Sequence, residues 1–462
     1  MKILYIIPNF DSYVLAPPLG VLYLSSYAKK YAGAQVVIVE ALRDNLSDEQ
    51  IINIILKENP DLIGIHCLTA FYKQAVELSR KIKALEKNFI VHFGGVHPTF
   101  MPYTTLKDSN ADFVVCGEGE IPIVKLLKNN LNPKGIQGVY TIKDLADDDT
   151  LIDGSPVLKA ETVMDLDTIP FPDWELLPPA SYPHSPHAVI ARGNPIGIIM
   201  TSRGCPSRCT FCSSNNFYKG IRQRSIENVI EEVKYQIKHL GIRELQFTDD
   251  NLTLKKDYII KLCTSLMENN IKIAWSTPNG VRADKVDKEV IDLMKKSGCY
   301  LIDFGIESAN NQILKNIRKG ETIEQIDYAI NLAHEAGMVT QGNFIFGLPG
   351  ETKETIKQTI DYAVNSKLDR AGFFALRLLP GSDLSKKLKE KFSLNLDNSF
   401  ISKPDWLPEN LTEEYILRTI QKVYWKFYFR PKRLWNLLND IPVSQTKYIL
   451  RCMINYHLFK LW

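Results

Sequence analysis

Short apolar runs alternate with amphipathic stretches along the first part of the chain. The runs at 3–7, 35–39, 61–66, 89–93 and 113–116 read as buried strands with helix-like segments between them. That alternation predicts an α/β architecture, a Rossmann-like, doubly wound parallel sheet over residues 1–131. From 132 to 190 the pattern loosens. Prolines and the acidic run Asp147-Asp148-Asp149 predict a linker with a short β excursion and a solvated surface stretch. Six further strand-like runs follow at 196–200, 244–248, 272–277, 301–305, 341–346 and 372–378. Helical periodicity separates them. Ile226, Val229, Ile230, Val233, Ile237 and Leu240 recur at three- and four-residue steps, with Ser225 placed as an N-cap and Gly241 just beyond the end. Ile326, Ala329, Ile330 and Ala333 form a second such stripe, ending before Gly337. Six strand–helix repeats predict a partial (β/α)6 TIM-type barrel over 191–385, followed by a helical region over 386–462.

Length changes this picture little: 462 residues exceed one ordinary core and suit two or three domains. A formal net charge of +3 gives no reason to expect a nucleic-acid partner. The stretch Met1-Lys2-Ile3-Leu4-Tyr5-Ile6-Ile7-Pro8 is too short an apolar run for a signal peptide and reads as a first strand. No window is apolar for long enough to span a bilayer. Eight scattered cysteines fit a reducing, cytoplasmic setting. The C-terminal region is basic and aromatic, with Lys422, Tyr424, Trp425, Lys426, Phe427, Tyr428, Phe429, Arg430, Lys432, Arg433 and Trp435. Two readings stand for it: a helix packing its aromatics on the barrel, or a peripheral membrane contact with anionic lipid.

The unusual residues fall after predicted strands. In the first domain these are Pro17-Pro18-Leu19-Gly20, Thr69, Gly94-Gly95-Val96-His97-Pro98-Thr99 and Gly117-Glu118-Gly119-Glu120. Ligands of doubly wound sheets bind beyond the carboxyl ends of the strands, and glycines there let backbone approach a large ligand. In the second domain the six loops carry Cys205–Cys212, then Asp249-Asp250-Asn251, Asn279 with Arg282, and Gly305-Ile306-Glu307-Ser308. The last two carry Gly347-Leu348-Pro349-Gly350-Glu351, and Arg377 with Pro380-Gly381-Ser382. Barrels place their chemistry on this rim.

Cys205, Cys209 and Cys212 gather three thiolates and no fourth. Four would close an iron–sulfur cluster, whereas three leave one iron open to a small molecule. A structural zinc site needs four ligands, and the next candidates are Cys263, far downstream, or His184 and His187 upstream. The C-x3-C-x2-C spacing, with aromatic Phe211 before the last cysteine, resembles the signature of radical S-adenosylmethionine (SAM) enzymes. Together the Pro-Pro-Leu-Gly, Gly-Gly-x-His-Pro-Thr and Gly-Glu-Gly-Glu strings resemble the cobalamin-binding domain fused to one branch of that family.

The resemblance implies three cofactors: a [4Fe-4S] cluster held by Cys205, Cys209 and Cys212, SAM on the open iron, and cobalamin. It implies SAM contacts from Phe211, Asp249, Arg282, Glu307, Ser308 and Gly347. Phe211 is expected to offer backbone to the adenine, Glu307 and Ser308 (then Asp249) to meet the ribose, and Arg282 to meet a carboxylate or substrate anion. It implies cobalamin contacts from Leu19, Gly20, Thr69, Gly94, Gly95, Val96, Gly117 and Glu118. An external one-electron reductant, flavodoxin or ferredoxin, is implied as a partner, and the substrate is a small molecule, lipid or natural product. The implied activity is SAM cleavage to a 5′-deoxyadenosyl radical, used for methylation of an unactivated carbon. The alternatives are radical oxidative cyclisation, ring contraction or rearrangement without methyl transfer and, more remotely, a non-enzymatic cluster and corrinoid sensor. The tRNA methylthiolation branch uses three further N-terminal cysteines, and this half has only Cys67 and Cys116.

Two departures from the family pattern stand out. The usual Gly-Gly-Glu after the second barrel strand is replaced by Thr248-Asp249-Asp250-Asn251. The D-x-H-x-x-G motif, whose histidine binds cobalt from below in many cobalamin domains, is absent. Only His66 and His97 lie near predicted strand ends. His97 reads as a hydrogen-bonding loop residue, and His66 stands where a small hydroxyl residue is usual.

Overall fold

Strand Lys2–Ile7 is buried along almost its whole length and lies one strand in from the edge of the first sheet. A computed structural model describes residues 1–10, 12, 14–183, 190–388, 403–431, 433 and 435. Lys2–Ile7 pairs in parallel with Gln35–Glu40 on one side (Ile3 opposite Val36) and with Leu62–His66 on the other (Ile3 opposite Leu62). Val91–Gly94 and Phe113–Val115 extend the sheet in parallel beyond Leu62–His66. Buried on both faces, these strands read as continuous apolar runs. The strand order reverses at Lys2–Ile7, which opens a crevice between its carboxyl end and that of Leu62–His66. Helix Leu19–Ala32 ends where Gly33 turns left-handed, and helix Asp48–Glu58 starts at a capping box of Ser47 with Gln50.

The region expected to be a linker is organised differently. Val139–Tyr140 joins the first sheet as a sixth, antiparallel strand beside Phe113–Val115. The amide of Cys116 donates to Gly138 O and the amide of Ala160 to Cys116 O, each at 2.7 Å. Trp174 and Leu177 are fully buried, and Asp173 accepts from Ser25 at 2.5 Å and pairs with Lys29 at 2.6 Å. The first unit therefore comprises Met1–Ser181 with Asn216–Arg222, because this stretch carries apolar anchors that its proline content conceals.

The second unit, Tyr182–Asn215 with Gln223–Trp462, holds the other sheet. Ile196–Ile199, Glu244–Phe247, Ala274–Val281, Cys299–Glu307, Val339–Phe346 and Arg370–Ala375 lie side by side in chain order, every pair parallel. Helix Ile226–Leu240 is capped by Ser225 and ends at left-handed Gly241, and helix Ile323–Glu335 starts at the Thr322 capping box. The core between sheet and helices includes Phe247 edge-on to Trp275, and Phe344 stacked on Phe373.

Arg370–Ala375 is an edge strand of this sheet, and helix Glu413–Tyr428 covers it. Tyr428 Oη accepts from the amide of Ala371 and donates to its carbonyl, both at 2.9 Å. Tyr424 Oη accepts from the amide of Phe373 at 3.1 Å. Two tyrosines one helical turn apart thus occupy the alternate outward groups of an edge that would otherwise be open to another strand. Between them Phe427 is fully buried, while Phe429 is exposed and stacks on Trp425. Of the two readings for the C-terminal aromatics, Tyr424, Phe427 and Tyr428 follow the packing one. Lys432 lies outside the described residues. No helix among them is long and apolar enough to cross a membrane.

Candidate active site

Cys205, Cys209 and Cys212 line one cavity of about 330 Å³ in the second unit, at the carboxyl ends of the strands. Gly204, at φ 94°, turns the chain into the loop. The amide of Thr210 donates to Ile317 O at 2.9 Å and its carbonyl accepts from Leu384 N at 2.8 Å, which ties the loop to two barrel segments. Burial pushes the free Cys209 thiol up and that of Cys212 to about 11. The described residues offer no group of three His, Cys, Asp or Glu side chains that could hold a single metal ion. Three thiols that line one cavity suit a cluster that leaves one corner open, whereas a structural zinc ion needs a fourth protein ligand. His184 and His187, the other zinc candidates, lie outside the described residues.

Facing the cysteines is a buried charge network. Glu307 has φ 66° and sits at a register shift against Val339–Phe346, which turns it out of the regular ladder at the strand end. Lys319 Nζ lies 3.1 Å from Glu307 Oε1 and 3.5 Å from Glu321 Oε2. Burial opposes its charge, but Glu307 and Glu321 outweigh that, and the Lys319 pKa is raised. Both Lys319 and Glu307 line the cavity. Positive φ at Arg318 and Gly320 makes the turn that presents Lys319. Lys319 escapes the sequence reading because a helix, Asn311–Asn316, separates it from the strand end. The adjacent Gly320 is its only mark.

The expected SAM residues divide. Phe211, Arg282 and Glu307 line the cavity, as does Asn279 from the loop expected to carry it. Arg282 is already committed: Nε donates to Asp284 at 2.9 Å, Nη1 to Lys319 O at 2.5 Å and Nη2 to Gly320 O at 3.2 Å. It therefore holds the Lys319 turn, and Lys319 joins it as a second cation at the cavity wall. Asp249 is buried behind the first strand, accepting from Thr201 N (3.1 Å), Thr201 Oγ1 (2.7 Å) and Ser202 Oγ (2.5 Å). Its neighbour Asp250 lines the cavity instead and accepts from Ser214 Oγ at 2.5 Å. Burial raises the pKa of Asp250 and the Ser214 bond opposes it. Adjacent residues at a strand end point to opposite sides, so one of the pair had to face inward. Ser308 is fully buried, 3.3 Å from Thr359 Oγ1, and is packing rather than site. Gly347, at φ 93°, donates to Glu351 Oε2 at 2.6 Å and faces Leu407, away from the cavity.

The first unit presents its candidates along the carboxyl edge of its sheet. Leu19 and Gly20 open helix Leu19–Ala32, Thr69 begins the turn Thr69–Phe71, and Val96 opens helix Val96–Phe100. A Cβ on Gly20 or Gly94 would meet nothing, so both leave open backbone facing the crevice. Gly95 has φ 114° and lies tight against the backbone of Cys67. This cradle suits a large flat ligand such as a corrin. Two candidates turn inward: Gly117 donates to Thr99 Oγ1 at 2.9 Å, and the buried Glu118 carboxylate pairs with Arg222 at 2.6 Å. Glu118 is thus a structural ion pair rather than a ligand contact. His97 is buried, with Nδ1 3.1 Å from Thr69 Oγ1 and its ring stacked on Tyr72. Burial pushes the pKa of His66 down to about 4, so its ring is neutral.

Residues 199–363 match the Radical SAM superfamily and residues 10–127 the B12 binding domain. The chain is 32% identical over 452 residues to an uncharacterized methyltransferase of Pyrococcus horikoshii, covering 94% of each. It is 30% identical over 424 residues to the cytidylyl-2-hydroxyethylphosphonate methyltransferase of Streptomyces wedmorensis, covering 80% of this chain and 77% of that one. Among solved structures, the cobalamin-dependent S-adenosylmethionine radical enzyme OxsB, with aqua-cobalamin and S-adenosylmethionine bound, aligns with a TM-score of 0.72 at 20% identity, covering 99% of this chain and 72% of that one. At that identity the likeness is one of fold.

Proposed function

From its membership of the cobalamin-dependent radical SAM enzymes, we propose that this chain methylates an unactivated carbon of a small-molecule substrate. The observation that carries the reading is the convergence of Cys205, Cys209 and Cys212 on one cavity walled by Glu307, Lys319, Asp250 and Asn279. When bound, the cluster and SAM supply a radical that removes a hydrogen atom, and cobalamin supplies the methyl group. The chain's own residues bind and orient. Three thiols hold the cluster and leave one iron open. Lys319, kept cationic by Glu307 and Glu321, faces the carboxylate of SAM. Glu307 and Asp250, as acceptors, suit the ribose hydroxyls and the amino group. Phe211 lends backbone and an apolar wall to the adenine. Leu19, Gly20, Thr69, Gly94, Gly95 and Val96 carry the corrin in the first unit. An external reductant supplies electrons. We place the enzyme in the cytoplasm.

The test uses anaerobically reconstituted protein loaded with cobalamin and given SAM, a strong reductant and candidate substrates, with products identified by mass spectrometry. 5′-Deoxyadenosine together with S-adenosylhomocysteine, both lost in Cys205→Ala, Cys209→Ala and Cys212→Ala, is the expected result. 5′-Deoxyadenosine alone would move the reaction to cyclisation or rearrangement.

A further inference from the structure

His66 ends strand Leu62–His66, beside the point where the order of the first sheet reverses. Its ring is half-buried and lies 5.9 Å, centroid to centroid, from Phe71, which packs on Phe10 at 4.6 Å. Phe10 follows strand Lys2–Ile7 and Phe71 follows Leu62–His66, so the three rings stand at the carboxyl ends of the two strands between which a doubly wound sheet takes its ligand. Gly95 makes room for the imidazole: a Cβ there would lie 3.3 Å from His66 Nδ1. Among the described residues no hydrogen bond reaches the His66 ring. Its nitrogens are not among the buried side-chain atoms left without a partner, so a ligand can reach them. The neutral imidazole offers a nitrogen lone pair to a metal. His97, the other histidine at this edge, has Nδ1 engaged by Thr69 and one face covered by Tyr72.

We propose that His66 is a cobalt ligand, meeting the corrin from its lower face. The inference rests on the cobalamin reading above. A bond forms between cobalt and a His66 ring nitrogen, and the bond from cobalt to the cofactor's own base breaks. The electron pair comes from the neutral imidazole, so no proton moves and the cobalt oxidation state does not change. The missing D-x-H-x-x-G motif then does not leave the lower face without a nitrogen.

The probe is cob(II)inamide, which has no nitrogenous base of its own, so an axial nitrogen seen on it comes from the protein. The full-length protein is loaded anaerobically, desalted and examined by electron paramagnetic resonance. Expected is a threefold splitting of the cobalt lines by one axial ¹⁴N nucleus, changing to twofold in protein labelled with ¹⁵N-histidine and lost in His66→Ala. The isotope shift is read on the unmutated chain, so it holds even where His66→Ala fails to fold. Retained corrinoid without axial nitrogen splitting overturns the ligand assignment and leaves the cobalamin reading standing. Splitting that persists in folded His66→Ala also overturns it. Failure to retain cobinamide and cobalamin alike after desalting overturns both.

Discussion

Lys319 Nζ lies 3.1 Å from Glu307 Oε1 at the wall of the cavity that the three cysteines share. A cation buried between Glu307 and Glu321 stays charged at any working pH. Removing it leaves the buried Glu307 carboxylate without its cation, while Glu321 keeps Arg282 and the Asp284 amide, and breaking such a pair costs roughly 3–5 kcal/mol. Lys319→Met is expected to weaken SAM binding at least about tenfold, which corresponds to about 1.4 kcal/mol, and to lower the melting temperature. Lys319→Arg should recover part of both. Isothermal titration with SAM on cluster-loaded protein checks this, and unchanged affinity in a folded Lys319→Met protein would falsify it.

Asp249 and Asp250 are adjacent but have opposite environments. Asp249→Asn replaces a buried carboxylate that accepts from Thr201 and Ser202, and is expected to cost about 1–3 kcal/mol of stability. Asp250→Asn should leave the urea midpoint unchanged within experimental scatter and weaken SAM binding instead. Denaturation and SAM titration on both variants separate the two. The reverse assignment of effects would sink this division.

Cluster assembly should depend on pH. Burial raises the free thiols of Cys209 and Cys212, the latter to about 11, so both are protonated near neutrality in the metal-free protein. Iron binds the thiolate and must displace those protons. Iron uptake at fixed sulfide is therefore expected to strengthen as pH rises from about 7 to about 9. For the metal-free fold the sign is opposite. A thiol pKa raised on folding stabilises below the unfolded value, and that contribution is lost as pH climbs toward 11. Proton release on iron binding, followed in weak buffer, checks the first sign, and melting temperature against pH checks the second.

The Tyr424 and Tyr428 hydroxyls bond the outward groups of Phe373 and Ala371. Replacing both with phenylalanine keeps the half-buried rings but leaves backbone groups unpaired, at about 1–3 kcal/mol for each site. The double variant should have a lower urea midpoint and should self-associate through the exposed strand. Light scattering beside denaturation tests both. A monomeric variant with unchanged stability would show that water replaces the hydroxyls without loss.

The local pattern of the chain determined a great deal by itself. Period and punctuation marked both sheets, all six barrel strands in order, and the Ser225 and Gly241 ends of helix Ile226–Leu240, because these depend on residues a few positions apart. The cysteine spacing was legible for the same reason: three thiols within eight residues, proposed here to hold the cluster, need no distant partner. Tertiary structure decided what depends on direction and on remote contacts. Which of Asp249 and Asp250 faces the cavity turns on the pleat at a strand end, and the sequence pair looks symmetrical. Arg282 and Glu118 read as ligand contacts until the fold brings them Asp284 and Arg222, which engage their charged groups. Lys319 enters the site only through a turn beyond an intervening helix, and Ser308 leaves it because its buried hydroxyl shares a hydrogen bond with that of Thr359, 51 residues on. The stretch after residue 131 looked like a linker by its prolines, but Trp174 and Leu177 are buried in the first unit. Apolar burial over long sequence separations is a property of the packed chain that local composition does not encode.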